Sequence, residues 1–331
     1  MPDFGSRGSI VLAAFRPDPV LFARQLHSIR DQTHADFECL IGADGDEEAI
    51  RELANRTLDA DARFRVVGFD DRVGFYRNFE RLLGAIDPRS GWIALSDQDD
   101  LWYPDKLETL LPELARHTLV SGQARLVAHP SGAVIAESTV RHDVEPVQLV
   151  INNQFTGSLS VFRPELLDLA LPFPALASRA QVHDHWLAVC AAALGGAHVV
   201  DTVVQDYVQH PGNALGESRL AESRFNPGRL WATLRQESAR YEGSASLGAL
   251  ARYRYNQVLG WDAAMTLALA ARLPASHPVV DGLRAIYAPH RRIGATLRFL
   301  ARSVGTGFIP AGTALLFLQG WLLEPYVRRP A

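Results

Sequence analysis

The stretch Gly91-Trp-Ile-Ala-Leu-Ser-Asp-Gln-Asp-Asp-Leu-Trp-Tyr-Pro-Asp-Lys-Leu107 decides how the rest of the chain is interpreted. Its first part, Trp92–Leu95, is a short apolar run of the kind that forms a buried strand. Three carboxylates follow within Asp97–Asp100, and Pro104 then suits the first turn of a helix, where its missing N–H costs nothing. Carboxylates this close together raise one another's pKa unless a cation lies among them.

The acidic part of this stretch has two interpretations. Carboxylate oxygens are the ligands that Mg²⁺ or Mn²⁺ prefers, and open α/β sheets bind ligands at the carboxyl ends of their strands. The stretch therefore predicts a divalent-metal site for a phosphate-bearing substrate. The alternative is an acidic loop that caps the following helix, for which one acid would be enough.

The whole chain has the composition of a folded globular protein. It contains 331 residues, of which 47% are hydrophobic and 21% are charged, which predicts one large domain or two ordinary ones. The two cysteines, Cys39 and Cys190, lie in apolar contexts and are predicted to be buried thiols in a reducing compartment. The first segment, Met1–Gly8, is short and polar and does not have the pattern of a secretory signal, so we expect a cytoplasmic protein.

The distribution of charge predicts two regions. Residues 1–223 carry 19 basic and 32 acidic side chains, whereas residues 224–331 carry 14 basic and 5 acidic ones. An acidic first region and a basic second region suggest that the second faces an anionic partner. We therefore predict a domain over 1–223 and an Arg-rich helical region over 224–331.

Hydrophobic periodicity predicts the elements of the first region. Four strand–helix units, with strands at Ser9–Phe15, Phe37–Ile41, Phe64–Val67 and Trp92–Leu95, predict a parallel sheet, and the acids lie between the fourth strand and its helix. After this, Leu119–Ala128 is predicted to pair in antiparallel fashion with the residues that follow Gly132, and Ala197–Val200 is predicted to be a further strand.

The second region is predicted to be helical throughout. The helical segments are Leu230–Tyr241, Leu247–Ala271, Val279–Tyr287, Ile293–Val304 and the apolar Phe308–Leu323. The last segment is shorter than the ~20 residues that a bilayer span needs, so a buried or interfacial helix is predicted.

Several quoted residues together resemble a known family. The chain resembles glycosyltransferase family 2, with the GT-A fold, and most of all its bacterial rhamnosyltransferase-like branch. The matching motifs are Ser9-Ile-Val-Leu-Ala-Ala-Phe15, Asp44-Gly45, Ser96-Asp-Gln-Asp-Asp-Leu-Trp102 with Pro104-Asp-Lys-Leu107, Thr156-Gly157, His183-Asp184-His-Trp186 and Gln209-His210. The resemblance covers roughly residues 9–215, and it departs from the family at Ala43-Asp44, where the family usually has paired acids.

The resemblance implies an α/β fold with a Rossmann-like mixed sheet flanked by helices, followed by the additional helical region. It also implies an inverting, metal-dependent transferase that moves a sugar from a dTDP- or UDP-sugar to a cell-surface glycan or a lipid-linked acceptor. L-Rhamnose from dTDP-rhamnose is the leading donor. The alternatives are a UDP-hexose donor, or a catalytically inactive scaffold of the same fold. No nucleic-acid partner is expected.

The resemblance also implies roles for residues of the metal site and for a general base. Asp99 is expected to bind Mg²⁺ or Mn²⁺ directly, and Asp97 to contact the ribose, the metal or both. His210 is expected to complete the metal or diphosphate site, or else to be an incidental loop histidine. Asp100 is expected either to orient the loop or to supply negative charge at the N-terminus of the following helix. Asp184 is expected to take the acceptor proton, because its place before an apolar helix favours a raised pKa; the alternative is a helix N-cap.

Residues at the ends of the first two strands are predicted to bind the nucleotide. Phe15 and Arg16 end the first strand and should line the same crevice as the acids. Asp44 ends the second strand, where it can accept from a pyrimidine N–H or simply belong to a turn. Arg72 can stack on the nucleotide or lie on the surface in solvent.

The Arg-rich region has three interpretations. Basic helices that end in an apolar segment can dock on anionic lipid at the inner face of the membrane, where a lipid-linked acceptor would lie. They can equally form a helical subdomain with arginines on its solvated faces, or a homodimer interface.

Overall fold

The computed structural model describes residues 7–69, 71–176, 180–210 and 227–327, and it divides into two compact units. The first unit comprises the described parts of Met1–Glu145, Asn153–Phe173 and His183–Gly216. The second comprises the described parts of Pro146–Asn152, Pro174–Val182 and Glu217–Ala331. The boundary that the charge pattern predicts, between residues 223 and 224, lies outside the described residues and stays a prediction.

A mixed sheet forms the centre of the first unit. Its strands are β1 (Gly8–Ala14), β2 (Phe37–Ala43), β3 (Phe64–Gly68), β4 (Ile93–Ser96), β5 (Leu101–Trp102), β6 (Leu119–Ala128), β7 (Val134–Ala136), β8 (Ser160–Phe162) and β9 (Ala197–Gln209). The strand order is β3-β2-β1-β4-β8-β6-β9-β5, with β7 on β6. Strands β3, β2, β1 and β4 are parallel, and β8 runs antiparallel to both of its neighbours.

Helices connect the strands and are the regular elements of the described residues 227–327. They are α1 (Pro19–Arg30), α2 (Glu47–Leu58), α3 (Phe75–Leu83), α4 (Lys106–Leu110), α5 (Pro146–Ile151), α6 (Leu166–Ala170), α7 (His183–Leu194), α8 (Pro227–Glu242), α9 (Leu247–Tyr255), α10 (Trp261–Arg272), α11 (Pro278–Tyr287), α12 (Ile293–Gly305) and α13 (Ala311–Val327). Short 3-10 helices cover Leu111–Ala115 and Gly157–Leu159, and a π-helical turn, Asn256–Gly260, joins α9 to α10.

The sequence explains why β1 lies at the centre of the sheet. Its residues Ile10, Val11 and Leu12 are fully buried, as expected for a parallel strand that is covered on both faces. Helix α1 then begins at Pro19, because the Asp18 carboxylate accepts hydrogen bonds from the first N–H groups of the helix. The core around β1 therefore fixes the strand ends that carry the polar residues.

The structure confirms the predicted parallel units and the antiparallel pair of β6 and β7. The predicted strand at Ala197–Val200 is correct in place but too short, since β9 continues to Gln209. Its polar residues Gln205 and Asp206 are buried, and Asp206 is paired with Arg125, so the alternation that a sequence pattern needs is absent. The predicted helix after Pro104 is broken into α4 and a 3-10 turn.

The second unit is helical, as predicted. The segment predicted as Leu247–Ala271 is interrupted by the π-helical turn, and the apolar C-terminal segment forms α13. Helix α13 buries Phe317 and leaves Leu315 and Leu322 67% and 75% exposed. Within the described ranges, no helix combines the length and the apolar character that crossing a bilayer requires.

Candidate active site

Three parallel strands bring their carboxyl ends to one edge of the sheet. Strand β1 is followed by Phe15 and Arg16, β2 by Asp44, and β4 by the loop Asp97–Asp100, which we call the acid loop. Because neighbouring parallel strands end side by side, these predicted residues lie in one region. The residues that the sequence places at the ends of these strands therefore lie at the same edge of the sheet.

Gln98 attaches the acid loop to the end of β1. Its Oε1 accepts a hydrogen bond from the Phe15 N–H at 2.8 Å, and its Nε2 donates to the Phe15 carbonyl oxygen at 3.2 Å. A primary amide can satisfy both backbone groups because it is donor and acceptor at once. This role of Gln98 was not predicted, although its amide lies between carboxylates in the sequence, which was the available signal.

Asp100 faces the interior and holds the acid loop in place. It is 1% exposed, and it accepts hydrogen bonds from Gln205 Nε2 at 2.8 Å and from the Val208 N–H at 3.1 Å. Burial and the neighbouring Asp99 raise the pKa of Asp100 to about 7. These contacts fit the expectation that Asp100 orients the loop.

Lys106, the sole lysine of the chain, supports the same loop from inside. It is fully buried, its Nζ donates to the Ser158 carbonyl oxygen and, at 2.7 Å, to Gln205 Oε1, and it lies 3.7 Å from the centre of the Trp102 ring. Burial lowers the pKa of Lys106 well below its ordinary value, and the nearby Asp100 and Asp97 oppose that shift. Gln205 therefore bridges Lys106 and Asp100.

The candidate metal ligands meet at the acid loop. His210 Nε2 lies 2.8 Å from Asp99 Oδ2, and the two side chains are 17% and 16% exposed. Asp97 is half-buried, and its pKa is raised well above the ordinary value by burial and then by the charges of Asp100, Asp99 and Asp184. Two carboxylates and an imidazole are a donor set that suits a divalent cation, and the crowding of negative charge is what such a cation would relieve.

Asp184 lies in the first turn of α7, close enough to Asp97 to act on its pKa. Its Oδ1 accepts from Asn153 Nδ2 at 3.2 Å and from the His185 N–H at 2.6 Å, and its Oδ2 accepts from the Gly157 N–H at 3.1 Å. The residue is half-buried. The carboxylate is thus held by a loop as well as by its own helix, which is more than an N-cap alone would require.

His183, beside Asp184, packs into the interior. Its ring stacks on Phe79 with centroids 3.9 Å apart and an interplanar angle of 18°. It is 6% exposed, and burial lowers the pKa of His183 to about 4, so the ring is neutral at pH 7. This packing orients the first turn of α7.

Phe15 and two arginines form a flat platform beyond the acid loop. Arg72 Cζ lies 3.8 Å from the centre of the Phe15 ring and Arg16 Cζ lies 5.3 Å from it. Both arginines are exposed. Guanidinium and aromatic planes of this kind can stack on a nucleobase.

Asp44 anchors the turn that carries Arg72. The carboxylate is 2% exposed, and it accepts from the N–H groups of Val73 and Gly74, each at 2.8 Å, and from Arg81 Nη2 at 3.0 Å. Three of its roughly four acceptor positions are therefore occupied within the protein. Contact of Asp44 with a nucleobase stays a prediction. Arg81, which the sequence analysis did not single out, fixes this carboxylate.

Comparisons with known proteins agree with this architecture. Residues 9–145 match the model of the family described as Glycosyl transferase family 2. A curated relative, the uncharacterized protein y4gI of Sinorhizobium fredii, is 34% identical over 112 residues, which are 33% of this chain and 12% of that protein. The chain therefore spans a small part of the length of this relative.

Two solved structures are similar in fold. The structure of S. aureus TarS 1-349 with UDP-GlcNAc has a TM-score of 0.50 and 13% identity, with 91% of this chain and 92% of that chain covered. The mannosyltransferase PcManGT of Pyrobaculum calidifontis, solved with GDP-Man and Mn²⁺, has a TM-score of 0.48 and 15% identity over 99% of this chain and 90% of that one. The predicted GT-A fold is confirmed by the sheet and by the first of these likenesses.

Proposed function

We propose that the chain transfers a sugar from a nucleotide donor to an acceptor hydroxyl with inversion at the anomeric carbon, because residues 9–145 match the Glycosyl transferase family 2 model. The observation that carries the proposal is the meeting of Asp99 and His210 at the acid loop, with Asp184 beside Asp97. A candidate cation site and a candidate base therefore belong to one group of interacting carboxylates.

The donor set supports a divalent metal at this point. Asp99, Asp97 and His210 would hold Mg²⁺ or Mn²⁺, which when bound would supply Lewis-acid stabilisation of the leaving diphosphate. The buried contacts of Asp100 keep the loop rigid, so that Asp99 and Asp97 need little rearrangement to bind. Mn²⁺ accompanies GDP-Man in the PcManGT structure, and metal dependence is proposed for this chain.

Asp184 is the proposed general base. The acceptor oxygen attacks the anomeric carbon on the face opposite the diphosphate, and the bond from that carbon to the diphosphate oxygen breaks. The hydroxyl proton passes to the Asp184 carboxylate. The hydrogen bonds from Asn153 and Gly157 support this role because they fix the orientation of the carboxylate.

The Phe15 platform is the proposed nucleobase site. A pyrimidine would stack on the exposed side of the Phe15–Arg72 pair, at the end of β1 and next to the acid loop, which would receive the diphosphate. We propose dTDP-rhamnose as the first donor to test, with UDP-hexoses as the second group. Thermal shift with a panel of nucleoside diphosphates, with and without Mn²⁺, ranks the nucleotides, because only a ligand bound by the native state raises the Tm.

The second unit supports peripheral contact with anionic lipid at the inner face of the membrane. Helix α12 leaves Ile293 and Leu297 62% and 47% exposed, and Arg298 and Arg302 on the same helix are exposed as well. Apolar side chains flanked by arginines suit an anionic interface, where a lipid-linked acceptor would lie. Co-sedimentation with vesicles containing anionic lipid, but not with neutral vesicles, is the expected result. Self-association without vesicle binding would favour a homodimer interface.

Product mass after incubation with each donor, acceptor extract and Mn²⁺ tests the function directly. The expected result is an acceptor heavier by one sugar, together with slow hydrolysis of the donor alone. Tight nucleotide binding with neither transfer nor hydrolysis across the panel would instead identify a catalytically inactive scaffold.

A further inference from the structure

A second cluster of metal-ligating side chains lies in the first unit, away from the acid loop. Ligand atoms of Glu113, His117 and His198 all lie within 4.8 Å of one another, and each residue is partly buried. His198 stands in the first residues of β9, whereas His210 follows the last residue of the same strand. At ~3.3 Å per residue, the two histidines mark opposite ends of a long strand. The cluster is therefore separate from the candidate active site.

Backbone geometry brings the first two ligands onto one side of a turn. The N–H groups of Arg116 and His117 donate to the Glu113 carbonyl oxygen at 3.0 and 3.1 Å. Residues four apart on such a turn face the same way. The Glu113 carboxylate and the His117 ring therefore extend from the same side of the turn, and Glu113 Oε1 also accepts a hydrogen bond from Arg116 Nη2 at 3.3 Å.

Strand pairing supplies the third ligand. Strands β6 and β9 run parallel with Val120 opposite His198, and the Thr118 N–H donates to the Gly196 carbonyl oxygen at 3.0 Å. Gly196 has a φ of +95° and lies against the His117 ring, where a side chain would sit in ordinary contact but the backbone would be strained. The rings of His117 and His198 stack with centroids 4.5 Å apart.

Asp143 contacts the ring nitrogen of His198 that would face away from a metal. Many metal-binding histidines have a carboxylate at this position. Its Oδ2 lies 2.6 Å from His198 Nδ1, and its Oδ1 accepts from the Val199 N–H at 2.7 Å. One carboxylate oxygen thus contacts the ring, and the other is held by the backbone of β9. A proton on Nδ1, held by Asp143, leaves the lone pair on Nε2, which is the arrangement that metal-binding histidines commonly show.

We propose that Glu113, His117 and His198 bind a borderline divalent cation, Zn²⁺ above all, with Asp143 orienting His198. Two imidazoles and one carboxylate suit Zn²⁺, whereas the oxygen-rich acid loop suits Mg²⁺ or Mn²⁺. The ion would tie the turn before β6 to the start of β9, and it would therefore brace the sheet at the end opposite His210. Water would fill the fourth position.

Titration of the chelator-treated full chain with Zn²⁺, in excess Mg²⁺ to occupy the acid loop, tests the site. One Zn²⁺ per chain and a rise in Tm are expected, and Co²⁺ should give the visible absorption of a tetrahedral site. His117→Ala and His198→Ala should weaken Zn²⁺ binding at least about 100-fold, and Asp143→Asn about 10–100-fold.

Two controls keep the result interpretable. His290→Ala removes an exposed histidine elsewhere and should leave Zn²⁺ binding unchanged, as should Asp99→Asn, which alters the acid loop. If a histidine variant fails to fold, Glu113→Gln keeps both rings and should still weaken binding. The proposal is overturned if the wild-type chain binds no Zn²⁺ in excess Mg²⁺, or if all three ligand variants bind it as the wild type does.

Discussion

Gly157 lies against His183 so closely that a Cβ atom at position 157 would stand 2.6 Å from His183 Nε2. The ring cannot retreat easily, because it is stacked on Phe79. Gly157 also donates its N–H to Asp184. One glycine therefore sets both the packing of α7 and the direction of the proposed base.

We expect Gly157→Ala to lower kcat at least about 10-fold, since displacement of the first turn of α7 misplaces the Asp184 carboxylate. The donor KM should change little. Steady-state kinetics with donor and acceptor varied separately checks this. Gly305→Ala is the matched control, because no atom lies within 4 Å of a Cβ there, and it should leave kcat unchanged. An unaltered kcat in Gly157→Ala would show that the base is positioned by other contacts.

Asp99→Ala should reduce transfer at least about 100-fold, because loss of a metal ligand removes several kcal/mol of transition-state stabilisation. His210→Ala should raise the Mn²⁺ concentration needed for half-maximal activity, since the imidazole lies 2.8 Å from Asp99. Asp87→Ala, which removes an acid paired with the exposed Arg89, is the control and should behave as wild type. Full activity of Asp99→Ala at every Mn²⁺ concentration would contradict the assignment.

Asp184→Asn should lower kcat by about 10²–10⁴ while nucleotide affinity is kept, because a general base acts on the acceptor proton and not on the donor. Kinetics and nucleotide titration of the same variant separate the two effects. Asp168→Asn neutralises an exposed acid on α6 and should leave both quantities unchanged. A loss of nucleotide affinity equal to the loss of kcat would point to a binding role for Asp184.

Stability should fall in acid because of His183. Its pKa is about 4 in the folded chain, against ~6.5 for an unperturbed histidine, so the unfolded state takes up a proton first as the pH falls. The free energy of unfolding should therefore decrease between about pH 6.5 and pH 4, by on the order of 3 kcal/mol from this group. Urea unfolding at a series of pH values should show a smaller decrease in His183→Leu. His290→Ala should retain the wild-type dependence, and an unchanged dependence in His183→Leu would contradict the explanation.

Much of the fold could be predicted because its elements are locally consistent. The apolar runs at β1, β2 and β4 are buried on both faces. Each run can therefore be predicted as a strand from its own sequence, without knowledge of the strands that pair with it. Strand β9 could be predicted only at its start. Its later residues include Asp206, which is stabilised by Arg125 and Tyr103 from distant parts of the chain, and such pairs leave no local pattern.

Residues of the candidate site could be predicted where they belong to a sequence motif. They could not be predicted where their role depends on tertiary contacts. The acid loop, Asp184 and His210 were found from their motifs, but the bridge formed by Gln205 between Lys106 and Asp100 was not. Asp44 was predicted to face a ligand, whereas in the structure Arg81 and two backbone N–H groups occupy most of its acceptor positions. The proximity of His198 to Glu113 and His117 depends on the register between β6 and β9, which cannot be predicted from the sequence of either strand alone.

The buried ammonium of Lys106 limits how far this protein can be shortened. A fragment ending at residue 145 would contain the whole of the matched family 2 segment, but it would lack Ser158 and Gln205, which accept hydrogen bonds from that lysine. Without Ser158 and Gln205 the fragment would lose the hydrogen bonds of Lys106 and the Gln205 bridge to Asp100, which hold the acid loop in place. The segment that contains the acid loop is therefore not self-sufficient, because the conformation of this loop depends on side chains and backbone contributed by a much later strand of the polypeptide.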